Sequence, residues 1–274
     1  MQDNDSAMEL LDALRLQWEW GVDDALLEAP QDRRHASPPP PLAFTTPQAP
    51  EPSPARRPAR APRPAAPLLA GPEEAARLAA GCATLEDLAE AMRGFTGCAL
   101  KDTATQLVFA DGAADARLVI IGEAPGGEED RAGRPFVGPA GQFLDRMLGS
   151  IGLDRTMVRI IDAVPWRPPG NRPPTEAEIA LCLPFLHRQI ALVAPRGLLS
   201  LGAVAAKALL GPEAQGGIRR VRGTWREVHI EGLPAPLPCL PSYHPAYLLR
   251  MPLAKRESWQ DMLSLRAWLK CKAD

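Results

Sequence analysis

An α/β fold, a three-layer α/β/α sandwich around a mainly parallel sheet, is what this 274-residue chain predicts. Three observations carry it. Short apolar runs, "RLVII", "VRIIDAV" and "GLLSL", are separated by segments with helical periodicity. A strand that returns parallel to its neighbour needs a crossover of about a dozen residues, usually a helix. The runs end in loops crowded with Gly, Pro and polar residues, and open α/β sheets bind ligands at the carboxyl ends of their strands.

The elements follow in order. Residues 7–28 place Leu10, Leu11, Leu14, Leu16 and Trp18 at helical spacing, with a break near Gly21. This short helix is either a fraying tail or a docking segment for a protein partner. Residues 37–67 are Pro-rich with a basic second half, a composition that cannot bury enough surface to fold. The expected organisation is therefore a helical tail over 1–36, a linker over 37–71 and a globular domain over 72–274. "GPEEAARLAAGCATLEDLAEAMRGF" reads as one or two helices, and "ARLVIIGEAPG" as a strand entering a turn. "GQFLDRMLGSIGL" aligns Phe143, Leu144, Met147, Leu148 and Ile151 on one helical face, and "MVRIIDAVP" is a second strand. Thr175 followed by Glu178 is a capping box that starts a long helix. "GLLSLG" and "AVAAKALLG" form a third strand and its helix; "WREVHI" and "PLPCLPSYHP" read as strands, and "KRESWQDMLSLRAWLKC" as the closing helix.

Bulk properties exclude several classes. Net charge is −2, so any nucleic-acid surface must be a local patch. No apolar run is long enough to span a membrane, and the acidic start lacks a signal peptide's basic region. Five scattered cysteines fit a reducing compartment, so a cytoplasmic protein is expected, acting as a monomer with no membrane partner.

The stretch "GEAPGGEEDRAGRPFVGPAG", Gly122–Gly141, packs six glycines and three prolines beside a run of carboxylates. It misses the G-x-G-x-x-G spacing, its acidic residues would repel a pyrophosphate, and no G-K-[ST] occurs. A nucleotide-handling enzyme on this sheet is thereby disfavoured. The density of glycine suits backbone that must approach a ligand closely.

"GEAPGGEEDRAGRPFVGPAGQFLDRML", "RPPGNRPPTEAEIALCLPFLHRQI" and "HPAYLLR" together resemble the successive signatures of the family 4 uracil-DNA glycosylases across about residues 95–270. The resemblance implies excision of a damaged base from DNA, uracil first, to leave an abasic site; whether other deaminated bases are also taken is left open. Such an enzyme extrudes a nucleotide and holds its base in a tight pocket. The resemblance puts the functional carboxylates at Glu123 and Glu129, the stacking ring at Phe136, and the base pocket around Gly122 and Ala124. It assigns His244 to the uracil O2, Asn171 to the sugar or the attacking water, and Leu248, Leu249 and Arg250 to a loop entering the DNA stack. Arg219, Arg220, Arg222 and Arg226, with Trp225, form a basic hairpin-like stretch suited to phosphates. No lysine stands at a nucleophile position, so a monofunctional hydrolase is expected.

Two departures stand out. The family holds a [4Fe–4S] cluster on four cysteines. Here Phe95 and Trp166 replace the first and third, while Cys98 and Cys182 keep the second and fourth; Cys82, Cys239 and Cys271 stand at no family spacing. Replacement of the cluster by apolar packing is expected, with no cofactor. The second departure is Asp162, where the family's base-reading Asn stands. An ionised Asp accepts from uracil N3–H but repels O4. It reads uracil only if protonated, which burial favours; otherwise it is a strand-end carboxylate paired with an arginine such as Arg167. Asp162 also keeps open a rival class, a glycosylase-like module that grips abasic or damaged DNA with little catalysis.

Overall fold

The computed structural model describes residues 71–271. The helix expected within 7–28 and the linker over 37–67 lie outside the described residues.

The sheet is built from β1 (Asp111–Gly112), β2 (Leu118–Gly122), β3 (Arg159–Asp162), β4 (Gly197–Leu201), β5 (Arg226–Val228) and β6 (Leu237–Ser242). Their spatial order is β1-β3-β2-β4-β6-β5. The four central strands run parallel, and the two short edge strands are antiparallel. Period-two alternation divides each strand between two cores. Val119, Ile121, Ile161 and Leu198 face one, with Leu186 and Ile190; Leu118, Ile120, Ile160 and Leu199 face the other, with Leu144, Leu148 and Leu265. Burial on both faces is why these strands read as continuous apolar runs rather than alternating ones.

The helices are α1 (Pro72–Gly81), α2 (Leu85–Gly94), α3 (Leu100–Thr103), α4 (Gly127–Ala132), α5 (Pro139–Ser150), α6 (Glu176–Val193), α7 (Ala203–Leu210), α8 (Ile218–Val221), α9 (Pro245–Arg250) and α10 (Lys255–Cys271). The capping box at Thr175 and Glu178 forms as expected, and Thr84 with Asp87 makes another on α2. The sheet and its flanking helices confirm the α/β class. Three short helices depart from the sequence reading. The Gly-rich segment is not all loop, since α4 occupies its middle. The basic stretch expected as a hairpin is α8 followed by β5. The segment after His244 coils into α9, with Pro245 at its first turn, a position where a missing N–H costs nothing.

A third core lies where α1 and α2 cover α6. It contains Phe95, Cys98, Trp166 and Cys182 together with Leu88, Met92, Ile179 and Phe185. Phe95 and Trp166 are 2% and 1% exposed, and Phe95 meets Phe185 edge-on with centroids 5.2 Å apart. Cys98 and Cys182 are hydrogen-bonded thiols; that bond brings the Cys98 pKa down to about 7, while the bond and burial push Cys182 up. Rings fill the two other cluster positions, and among the described residues no set of three or more metal-ligating side chains assembles. The donor set therefore does not fit a four-thiolate cluster. Cys239 lies inside β6, its pKa pushed up to about 12 by burial, and Cys271 is exposed at the far end of α10.

Candidate active site

The carboxyl ends of β2, β3, β4 and β6 open into one cleft of about 400 Å³. Its walls include Glu123–Gly126 after β2, Asn171 and Arg172 after β3, and His244 and Arg250 after β6. These loops carry the three signature segments quoted above. A fourth, Gly202–Ala203 after β4, was not anticipated. Its signal was the strand-to-glycine-to-helix transition in "GLLSLGAVAAK", the same grammar as the β2 motif.

Glu123 turns toward this fourth loop, and its Oε1 accepts from the Val204 N–H at 3.3 Å. A carboxylate at the N-terminus of α7 is favoured by the helix dipole. Gly202, at φ +94°, is required there, because a Cβ would lie 2.4 Å from Glu123 Oε1 and 3.1 Å from His244 Cβ. Those two distances also show that Glu123 and His244 flank the same glycine.

His244 is the N-cap of α9, and its Nδ1 accepts from the Ala246 N–H at 3.2 Å. The proton of the neutral ring therefore resides on Nε2. Burial holds the His244 pKa below the ordinary histidine value, against the opposing pull of Glu123. His244 is thus a neutral donor rather than an imidazolium.

Glu129 does something different. Its Oε2 accepts from the Gly126 N–H at 3.1 Å, and its Oε1 from Val137 and Gly138 N–H at 3.1 and 3.0 Å. Both oxygens are engaged by backbone, so the carboxylate ties the two ends of the Gly-rich segment together. Asp130 behaves similarly toward Thr105, taking its N–H at 2.8 Å and its hydroxyl at 2.7 Å.

Phe136 and Asp162 do not line the open cleft. Both side chains pack over Gly122, one residue before Glu123. A Cβ on Gly122 would lie 2.2 Å from Asp162 Oδ1 and 2.5 Å from Phe136 Cε2. Phe136 sits at φ +54°, a conformation L-residues rarely adopt. Its carbonyl would be 1.7 Å from a Cβ at residue 141, so only Gly141 fits below it. Arg155 holds this turn. Its guanidinium donates to the Pro135 carbonyl at 3.3 Å and to that of Phe136, and it pairs with Asp111 of β1 at 2.6 Å and Asp145 of α5 at 2.7 Å. The Phe136 ring stacks on His244 with centroids 5.4 Å apart, the separation of rings in direct contact. The two rings therefore leave no gap between them on the face where they meet.

Asp162 is 8% exposed, and among the described residues no cation pairs with it. Arg167, the expected partner, instead donates to Asn171 Oδ1 at 2.7 Å and lies 3.9 Å from Asp130. Burial, and then the charges of Glu129 and Glu123, push the Asp162 pKa up to about 8. The arginine-paired reading of Asp162 is thereby corrected. Asn171 stands on the rim at φ +55°, its side-chain oxygen held by Arg167.

Two expected DNA contacts are corrected as well. Leu248 is 1% exposed and packs in the core with Leu144 and Met147. In α9 its side chain falls on the buried face, whereas Leu249, Met251 and Leu253 project outward. Arg222 is inside an ion-pair network, with Nε donating to Asp261 Oδ2 at 3.1 Å and Nη1 lying 3.5 Å from Glu257. Asp261 is almost fully buried and also accepts from Ser242 Oγ at 2.6 Å. Trp225 is likewise turned inward, stacked on Trp268 and bonded to Ser264. Arg219, Arg220 and Arg250 are the exposed cations of these elements; Arg219 also bonds the Tyr247 hydroxyl at 3.1 Å.

A parallel sheet whose strand ends gather a carboxylate, a neutral histidine and a glycine-lined cleft has the make-up of an α/β enzyme site. The sequence profile of the Uracil DNA glycosylase superfamily matches residues 109–263, more than half of the chain, and the chain belongs to that family. It is 39% identical over 181 residues to a type-4 uracil-DNA glycosylase of Pyrobaculum aerophilum, covering 65% of this chain and 91% of the relative. A type-4 uracil-DNA glycosylase of Thermotoga maritima is 39% identical over 166 residues (61% and 83% covered), and one of Archaeoglobus fulgidus 37% over 180 (65% and 89%). No helix among the described residues is long and apolar enough to cross a membrane.

Proposed function

We propose that the protein is a monofunctional uracil-DNA glycosylase that hydrolyses the N-glycosidic bond of uracil in DNA and leaves an abasic site for base excision repair. The observation that carries this is the placement of Glu123 and a neutral, Nε2-protonated His244 on either side of Gly202 in the lining of the cleft.

Cleavage develops positive charge on the sugar and negative charge on the departing base. Glu123 supplies the carboxylate that opposes the first charge or orients water, with Asn171 on the opposite rim for the sugar or that water. His244 Nε2–H donates to the uracil O2 as the anion forms, an oxyanion-type contact. Phe136 provides the stacking face, and Gly122 and Ala124 let the base approach the backbone. Glu129 acts through the loop it ties and is a positioning residue. On the DNA side, Arg219, Arg220 and Arg250 supply phosphate contacts, and Leu249 supplies the apolar tip beside them.

The domain works without an iron–sulfur cluster, because Phe95 and Trp166 pack where two ligands would stand. Residues 1–36 and 37–71 serve as a tail and its linker, and the tail offers a docking segment to a protein partner. The enzyme acts as a monomer in the cytoplasm, where its five unpaired cysteines suit a reducing environment.

The test is a glycosylase assay on single- and double-stranded oligonucleotides bearing uracil, hypoxanthine or xanthine, with alkaline cleavage of the abasic product. Uracil release by the wild type, lost in Glu123→Gln with folding intact, supports the proposal. Tight binding to abasic DNA with no release of any base would replace it with the binding-module reading.

A further inference from the structure

Asp162 is a buried carboxyl with no cation paired to it among the described residues, and it packs with the Phe136 ring edge over Gly122, behind the open cleft. Resting on the uracil-excision reading of this same site, we infer that Asp162 binds the extruded base as a neutral carboxylic acid, its carbonyl oxygen accepting from N3–H and its hydroxyl donating to O4. The group would thereby present the same donor–acceptor pair as a side-chain amide.

The argument begins with placement. β3 ends at Asp162, paired in register with Gly122 of β2. With no side chain on Gly122, Asp162 Oδ1 and the Phe136 ring edge share the space above it. A base stacked on Phe136 would therefore meet Asp162 along its edge. The charged groups around Asp162 are all of one sign or already engaged. Glu123 follows β2 and points to Val204; Glu129 of α4 is held by three backbone N–H groups. Arg167, from the loop after β3, is committed to Asn171 and Asp130. His244 of α9 is neutral and stacked on Phe136. An ionised Asp162 would be a third carboxylate in this space, with no compensating charge and facing the O4 oxygen. Burial and the two glutamates push the group the same way, to about 8.

The pH consequence has a definite sign. A carboxyl whose pKa is raised stays competent below that pKa and ionises above it. The second-order rate for excision should hold to about pH 8 and then fall about tenfold per pH unit. Base binding removes the remaining water and favours the acid form, so kcat should persist to higher pH than kcat/KM.

The experiment compares wild type, Asp162→Asn and Asp162→Leu in single-turnover uracil excision between pH 6 and 10, with melting temperatures across the same range. The proposal expects Asp162→Leu to lose excision, and Asp162→Asn to restore it without the Asp162-dependent alkaline limb. Ionisation of uracil N3–H acts on both active proteins, so their difference isolates the side chain. The proposal also expects the melting temperature of Asp162→Asn to gain on the wild type as pH rises toward 8. That follows because the unfolded carboxyl ionises near pH 4 and the folded one resists. A folded Asp162→Asn that fails to excise uracil at every pH would overturn the inference and make Asp162 an ionised participant in water activation. Identical alkaline limbs in wild type and Asp162→Asn would also overturn it. A wild type that excises nothing at any pH would instead overturn the glycosylase reading.

Discussion

Glu129→Gln separates a loop staple from a catalytic base. In the native protein three backbone N–H groups, those of Gly126, Val137 and Gly138, converge on the two oxygens of Glu129 at 3.0–3.1 Å. Glutamine keeps the shape and offers one acceptor oxygen. If that oxygen takes the Val137 and Gly138 pair, the amide NH2 confronts the Gly126 N–H, donor against donor. One charge-assisted bond is lost, two are weakened to neutral strength, and a part-buried donor is left unpaired. Charged hydrogen bonds contribute about 1.5–3 kcal/mol and neutral ones about 1. The expected destabilisation is therefore about 5 kcal/mol, or roughly 10–20 °C in melting temperature for a domain of this size. Excision at a temperature well below the transition should fall only modestly, since no reacting atom touches Glu129. The assay is thermal unfolding by circular dichroism beside single-turnover uracil release. An unchanged melting temperature with excision reduced a thousandfold would refute the reasoning and return Glu129 to the chemistry.

Three further outcomes are expected. The purified protein should be colourless, with no charge-transfer absorption; a brown preparation with about four irons per chain would show that Cys82, Cys239 or Cys271 had been recruited. Arg222→Ala should cost about 3–5 kcal/mol by stranding Asp261, whereas Arg219→Ala and Arg220→Ala should leave stability unchanged and make DNA binding less salt-dependent; the reverse pattern would put Arg222 on the DNA. His244 should titrate below 6.5 by NMR, so the fold loses stability as pH falls from 6.5 toward that lower value; a midpoint above 6.5 would mean that Glu123 outweighs burial.

The sheet was legible because its central strands are apolar on both faces, and "RLVII" and "GLLSL" can hardly be anything else. The capping box at Thr175 located α6 for a different reason, a local bond that needs no tertiary context. The short helices α4, α8 and α9 were not legible. Each has only four to six residues, too few to display a period, and tertiary packing decides them. The site was readable as residue types and misread in orientation. Nothing in "HPAYLLR" says which leucine turns inward once α9 forms, and nothing in "IRRVR" says that Arg222 will meet an aspartate 39 residues later. Glu129 was visible as a carboxylate, but two of its three N–H partners, those of Val137 and Gly138, meet it only after the chain has doubled back.

Arg155 joins parts of the protein that lie far apart in sequence. Its guanidinium links edge strand β1, helix α5 and the turn that holds Phe136 in its left-handed conformation. A two-residue edge strand is the first part of a sheet to fray. Here fraying would withdraw Asp111 from the same cation that steadies the stacking ring. Opening of the sheet margin and loosening of the Phe136 turn should thus be coupled through one guanidinium. Amide exchange at β1 should report on the pocket, although the two share no wall, and a nucleotide seated on Phe136 should slow exchange at that distant edge.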